Sequence, residues 1–360
     1  MVKNSVGILG AGAWGTALGK ALAEKNFPVQ VWSFEKSVAD DINMSHKNEK
    51  YLPGVDGLPV NLTASTDIRE AANDKEFILI AIPSLFILGA IKNILTVPNV
   101  MEGRSIIGIV TKGFITTEAG PRLIAAALED YLPGFYKNNL VYIAGPSHAE
   151  EVGRGKLTGL ISASSNAKNS IRFRELLSGP ILMVYSSLDI VGVQVCAAMK
   201  NVIAVAFGML DALKDLTPFV GDNTESLLLA AGLSEIQSFG QAIGATHTET
   251  FSSIAGVGDL DVTCRSQWGR NRRFGREIIL KKIIEKYKNI DDVISHLGEI
   301  GYLPEGAVAC KAVNTLAANK GLKLTITRSV YRILNREIDP MTLISDLVKD
   351  VTRPDDLVKP

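Results

Sequence analysis

An α/β domain with a doubly wound, mostly parallel sheet, followed by an all-α domain, is what the sequence predicts. Three observations carry that expectation. The first half of the chain alternates short apolar runs with helical stretches, a glycine-rich loop joins the first run to the first helix, and after Ser187 no convincing strand signal remains. A length of 360 residues also exceeds one ordinary core and favours two. The boundary is placed near Ser187, which divides the chain into 1–187 and 188–360.

The elements follow in order. "VGILG" reads as a short buried strand. The glycine loop and an alanine-rich helix ending near Asn26 come next, then "PVQVWSF" as a second strand. Residues 37–45 look helical. "EFILIAIP" is an unbroken apolar run stopped by Pro83, as expected of a strand buried on both faces. "LFILGAIKNIL" reads as helix, "SIIGIVTKG" as strand and "AGPRLIAAALEDYL" as helix. "LVYIAGPS", "TGLISASS" and "PILMVYSS" are further strand candidates. Beyond Ser187, helices are expected over 189–213, 224–243, 276–288, 305–319 and 327–336. The tail "TRPDDLVKP" is expected to fray.

Composition excludes several classes. The formal charge is zero, so no global field draws the chain to DNA or to an acidic membrane. Three cysteines, Cys196, Cys264 and Cys310, lie far apart without a CxxC, which argues against a disulfide framework and fits a reducing cytoplasm. His46, His148, His247 and His296 form no HExxH, so no metal site is expected. "ALA" at 21–23 imitates a signal-peptide end, but Gly7, Gly10, Gly12, Gly15 and Gly19 make a poor signal core. The apolar stretch 190–213 is long enough to span a bilayer, yet Lys200 and Asn201 sit at its middle. It reads as a buried helix of a soluble domain, with no membrane insertion.

Gly10, Gly12 and Gly15 form a G-x-G-x-x-G that follows a strand and opens a helix, the context in which this pattern binds a nucleotide. The glycines allow a tight turn and close approach of a pyrophosphate to free helix N–H groups. Glu35 lies at the end of the second strand, where a carboxylate hydrogen-bonds an adenosine ribose and repels a 2′-phosphate; Lys36 beside it softens that.

Lys200 stands inside "VGVQVCAAMKNVIAVAFGML" with apolar residues on nearly all sides. Its stem has little route to water, and burial favours the neutral amine, which suits an acid or base near neutral pH. "TKGF" puts Lys112 just past an apolar strand, and "AGPSHAEEVGRG" likewise follows a strand; ligands bind outside such carboxyl ends. His148 there reads as a packing or surface residue rather than a base. "GDLDVTCRSQWGRNRRFG" concentrates arginines at a loop-to-helix junction. Arg270, Asn271 and a helix N-terminus suit a small phosphate. Arg272, Arg273 and Arg276 read as solvated or paired with acids. Only Trp268 and Phe274 lie nearby, too few aromatics for a nucleic-acid surface.

"GAGAWGTAL", "YLPG", "TKG", "GPSHAEEV", "MKNVIAVAFGM", "GDN" and "GDLDVTCRSQWGRNRRFG" occur in the order seen in the NAD(P)-dependent glycerol-3-phosphate dehydrogenases. The chain resembles the bacterial branch most, over roughly residues 5 to 340. The lysine helix and the last long motif are specific to that family; the glycine loop is not. The resemblance implies a Rossmann-type N-terminal domain, an all-helical C-terminal domain and a cleft between them. It implies interconversion of sn-glycerol 3-phosphate and dihydroxyacetone phosphate, supplying glycerol 3-phosphate for phospholipids. By the matching motifs Lys200 is the proton acceptor, and Lys112, Gly145, Ser147, Asp259, Gly269, Arg270 and Asn271 fall at the substrate. Ala13, Trp14, Phe34, Tyr51, Lys112, Ala149, Arg270, Leu303 and Glu305 fall on cofactor positions, with the glycine loop and Glu35. A homodimer is common in the family.

Four departures from the family pattern stand out. Ala13 replaces a frequent serine, Phe34 a frequent basic residue of NADP-preferring members, and Gly269 the usual serine before Arg-Asn; "TESLLLAAGLSEI" lacks the usual arginine after "GDN". Phe34 and Glu35 argue against a strong NADP preference and leave NAD and NADP both open. Two rival readings remain: a related two-domain NAD(P)-dependent hydroxy-acid or imine reductase, and a non-catalytic NAD(H) sensor.

Overall fold

The computed structural model describes residues 4–266 and 268–351; the tail expected to fray, 352–360, lies outside the described residues. The chain forms two compact units, Met1–Ile115 with Leu123–Gln194, and Thr116–Arg122 with Val195–Pro360. The division between these units lies inside the long apolar helix, and a short segment of the first half counts with the second unit.

The strands are β1 (Val6–Leu9), β2 (Val29–Trp32), β3 (Leu62–Ser65), β4 (Phe77–Ile80), β5 (Ile106–Ile109), β6 (Phe114–Thr117), β7 (Gly120–Leu123), β8 (Val141–Ala144), β9 (Thr158–Ala163) and β10 (Leu182–Ser187). Eight of them make one sheet in the order β10-β9-β8-β5-β4-β1-β2-β3, and β6 pairs with β7 in a separate ribbon. From β3 to β8 the sheet is parallel; β9 runs antiparallel to β8, and β10 parallel to β9. The central strands β1, β4, β5 and β8 are buried at every residue, as their unbroken apolar runs require. Strand order reverses between β1 and β4, and in such sheets the ligand crevice lies outside the carboxyl ends at that point.

Two local expectations change. "AGPRLIAAALEDYL" is not one helix: Gly120, at φ +105°, turns the chain from β6 into β7, and the helix covers only Ile124–Leu128. The edge strand β3, four residues paired only to β2, gave no apolar signal of its own.

Among the described residues the second unit adds no strand beyond its part of the ribbon. Its long helices are Ile190–Lys214, which straddles the division, Asp222–Ile243, Arg270–Leu280, Glu305–Asn319 and Thr325–Leu334. The first is long and apolar enough to cross a membrane, but 89% of its apolar window is buried. Glycines let these helices touch backbone to backbone. A Cβ on Gly275 would stand 2.1 Å from the Val205 carbonyl, and one on Gly306 2.6 Å from the Asn201 carbonyl. The helices carrying Lys200, Arg270 and Glu305 are thereby locked at close range. Glu235 is buried and its carboxylate accepts from the Thr327 N–H (3.1 Å) and hydroxyl (2.9 Å), capping the Thr325–Leu334 helix. Cys196, Cys264 and Cys310 are all buried in this unit.

Candidate active site

In the first unit the predicted residues gather at one edge of the sheet. β1 runs into Gly10, whose φ of +125° and position 2.6 Å (for a Cβ) from the Ala81 carbonyl admit only glycine. A Cβ on Gly15 would lie 1.9 Å from the Gly10 carbonyl, so the third glycine closes the turn. Gly12 differs: nothing stands within 4 Å of where its Cβ would be. That open space faces the start of the Ala13–Ala23 helix, which has no side-chain cap at Gly12. Free N–H groups and an open approach fit the pyrophosphate of a dinucleotide. Ala13 and Trp14 are half-buried in the first turn.

The loop is held by Asn48, which sequence reasoning did not single out. Its buried amide donates to the Ala11 carbonyl and to the Thr16 hydroxyl, both at 2.8 Å. Nothing in "SHKNEK" marks Asn48, because its partners lie more than 30 residues away.

At the carboxyl end of β2, Phe34 is 87% exposed and Glu35 follows. The buried Ser33 hydroxyl donates to the Glu35 carbonyl (2.9 Å) and accepts from its N–H (3.2 Å). The Glu35 carboxylate accepts from Lys50 Nζ and from the Tyr51 hydroxyl (2.6 Å). The Lys50 bond first, then the Tyr51 bond, holds the Glu35 carboxyl below its ordinary range. Past the end of β5 comes Lys112, half-buried on a turn fixed by Thr111 and Tyr142: Thr111 Oγ1 donates to the Ile82 carbonyl (2.7 Å), and the Tyr142 hydroxyl to the Thr111 carbonyl (2.8 Å). Past β8, Gly145 (φ +142°) packs against the Gly159 carbonyl, and the Ser147 hydroxyl donates to the Gly145 carbonyl at 2.9 Å. His148 and Ala149 begin the short helix that follows.

In the second unit Lys200 is 4% exposed and Asp259 is fully buried. Lys200 Nζ donates to Asp259 Oδ1 and, at 2.8 Å, to the Thr263 hydroxyl. That hydroxyl itself donates to the Asp259 carbonyl at 2.6 Å, so its lone pair is turned to the amine. The apolar helix expected from the sequence encloses the amine, and the structure adds a carboxylate and a hydroxyl in direct contact with it. Asp259 opens the Asp259–Arg265 helix after a π-turn, Ile254–Gly258, packed so tightly that a Cβ on Gly256 would lie 1.9 Å from the Phe251 carbonyl. Thr263, four residues after Asp259, shares its helix face, a spacing that could have identified it.

The arginines separate into two kinds. Arg265 pairs with Asp261 (2.8 Å), Arg272 with Asp211 (2.6 Å), Arg273 with Glu277 (3.1 Å), and Arg276 with Asp211 (2.9 Å) and Asp215 (3.3 Å). Among the described residues Arg270 is the one of the five without a carboxylate partner. It is exposed at the first turn of the Arg270–Leu280 helix, at the loop-to-helix junction expected there and ahead of the periodic span expected over 276–288, with Gly269 as an N-cap that supplies no side chain. Asn271 beside it is buried, and its Oδ1 accepts from the Gly306 N–H at 2.9 Å. Its amide is thereby oriented, and the start of the Glu305–Asn319 helix is tied to it. Leu303 and Glu305 stand half-buried at that same helix start. Among the described residues no group of three or more His, Cys, Asp or Glu is arranged to hold a metal ion.

Comparison with known proteins identifies the family. A family model for the NAD-dependent glycerol-3-phosphate dehydrogenase N-terminus matches residues 5–170, and one for the C-terminus matches 189–345. A glycerol-3-phosphate dehydrogenase [NAD(P)+] of Treponema denticola is 54% identical over 98% of this chain and its own full length. One from Treponema pallidum is 49% identical over 96% of this chain and 99% of its own. The crystal structure of glycerol-3-phosphate dehydrogenase from Coxiella burnetii superposes with a TM-score of 0.82 at 30% identity, covering 96% of this chain and 99% of that one. With both halves matched in sequence and the whole chain matched in structure, this protein belongs to the NAD-dependent glycerol-3-phosphate dehydrogenase family.

Proposed function

We propose that the reaction of this family is carried in this chain by Lys200 as general acid and base. The chain is an NAD(P)-dependent oxidoreductase interconverting sn-glycerol 3-phosphate and dihydroxyacetone phosphate. Residues 1–187 would bind the dinucleotide and 188–360 would carry the catalytic and substrate-binding groups. A bound NAD(H) or NADP(H) supplies hydride exchange at C2 of the substrate. In oxidation Lys200 Nζ takes the C2 hydroxyl proton; in reduction it returns that proton and its positive charge stabilises the developing alkoxide. Asp259 and Thr263 hold Nζ in place and keep the ammonium form accessible. Arg270, Asn271 and the N–H groups of the helix they open hold the substrate phosphate. Lys112, Gly145 and Ser147 complete the substrate contacts, and Lys112 adds positive potential near the cofactor.

The observation that carries this reading is the buried Lys200 amine bonded to Asp259 and Thr263. The rival reductase and sensor readings are not favoured, because both family models and the relatives are glycerol-3-phosphate dehydrogenases. We further propose a cytoplasmic enzyme, homodimeric and without membrane insertion, that supplies glycerol 3-phosphate for phospholipid synthesis. The test is loss of near-ultraviolet absorbance with dihydroxyacetone phosphate and NADH or NADPH. The native enzyme consumes reduced cofactor; Lys200→Ala loses roughly 10²- to 10⁴-fold in turnover while still binding dinucleotide. A folded Lys200→Ala protein with near-native turnover would remove Lys200 from its role.

A further inference from the structure

Cofactor choice in this chain turns on more than Glu35. A carboxylate at the end of the second strand ordinarily binds a ribose 2′-hydroxyl and repels a 2′-phosphate. Here both carboxylate oxygens are engaged: Oε1 by the Tyr51 hydroxyl at 2.6 Å, Oε2 by Lys50 Nζ. The charge that would repel a phosphate is therefore matched by a cation in direct contact. Lys50 is not locked in a core. Its side chain is 57% exposed, and its ammonium lies over the Tyr51 ring, 5.3 Å from the centroid. The other lysine at this strand end, Lys36, is bonded to Asp40 at 2.6 Å on the turn that follows. Phe34 brings no charge, only an exposed ring. Ser33 pins the backbone of Glu35, so the carboxylate keeps its place while the lysine head can change partner.

We infer that Lys50 is the residue that admits the phosphorylated cofactor: it neutralises Glu35 when the ribose carries a hydroxyl and turns to the 2′-phosphate when the ribose carries one. The pair makes the site tolerant of both dinucleotides, with neither strongly excluded. Glu35 alone would select NAD(H), and a basic residue alone would select NADP(H). This inference rests on the cofactor reading above and deepens it.

The test is direct binding rather than turnover: titration of the purified full chain with NADH and with NADPH, followed by nicotinamide fluorescence, without substrate. Lys50→Met should weaken NADPH by about tenfold or more, the loss of one charge-assisted contact, and change NADH by less than about threefold. Lys50→Arg should keep NADPH binding, and Glu35→Gln should tighten NADPH relative to NADH. An unchanged NADPH to NADH ratio in Lys50→Met, with both still bound, would overturn the assignment of Lys50 and leave the cofactor reading intact. Failure of the native chain to bind either dinucleotide would overturn the cofactor reading and this inference with it.

Discussion

Replacing Gly275 by alanine tests whether the geometry around Lys200 is set by helix contact far from the chemistry. A Cβ at Gly275 would stand 2.1 Å from the Val205 carbonyl oxygen, 2.8 Å from the Met209 nitrogen and 3.0 Å from Gly208 Cα. These are backbone atoms of the lysine helix and cannot rotate away. An ordinary non-bonded contact is about 3.5 Å, so the two helices must part by on the order of 1 Å. Overpacking of this kind costs about 1–3 kcal/mol, which a two-core protein survives. The same shift separates Arg270, at the start of the arginine helix, from Lys200 on the other. A misplacement of about 1 Å at a reacting centre costs on the order of 10²-fold. Thermal melting and steady-state kinetics with dihydroxyacetone phosphate give the readout. Gly275→Ala should melt somewhat lower and lose about 10²-fold in kcat/KM. Gly89→Ala, at an exposed helix position where nothing lies within 4 Å of the new Cβ, is the control: it should keep kcat/KM and melt no lower than the native enzyme. A destabilised Gly275→Ala enzyme with native kcat/KM would refute the idea that this contact sets the distance between the two groups.

Three further substitutions test the same unit. Arg270→Ala should lower kcat/KM for the phosphorylated substrate by about 10- to 100-fold, as expected for a charge-assisted contact. Arg272→Ala, which removes the pair with Asp211 and the bond to the Arg265 carbonyl, should act mainly on melting temperature; equal kinetic losses in the two would remove the distinction between them. Gly269→Ser restores the residue usual in the family, yet its Cβ would stand 2.9 Å from the carbonyl of Thr263, the residue bonded to Lys200. Turnover should fall rather than rise, and a gain in turnover would show that the backbone accommodates serine freely.

Periodicity made much of the fold legible. The alternation of strands and helices, the glycine loop and the helix over Glu305–Asn319 all follow from local pattern. Lys200 was legible because an ammonium in a helix apolar on nearly all sides conflicts with local rules. Its partners were not legible from local pattern: Asp259, which only the family motif placed at the site, is 59 residues away and reaches it through the packing of a helix behind a π-turn. Lys50 was missed for a similar reason: it meets Glu35 across a turn of 15 residues. The arginine helix was legible only from its motif, which set Arg270 and Asn271 at a loop-to-helix junction; periodicity marked it from 276 because Arg-Asn-Arg-Arg is polar throughout, with Phe274 and Gly275 on the buried side. Strand β7 was read as the start of the helix that follows it, although Gly120 and Pro121 open the strand.

The burial of the cysteines has a chemical consequence. Cys264 follows Thr263 directly and is wholly enclosed, and burial pushes its thiol far above the ordinary range; the same holds for Cys310. Thiolate is the form that attacks oxidants and alkylating reagents, and here it is neither formed nor reachable. Cys264 and Cys310 are therefore shielded from thiol-directed reagents in the folded chain, although Cys264 adjoins the threonine bonded to Lys200, and labelling of Cys264 reports only the fraction of molecules that has opened.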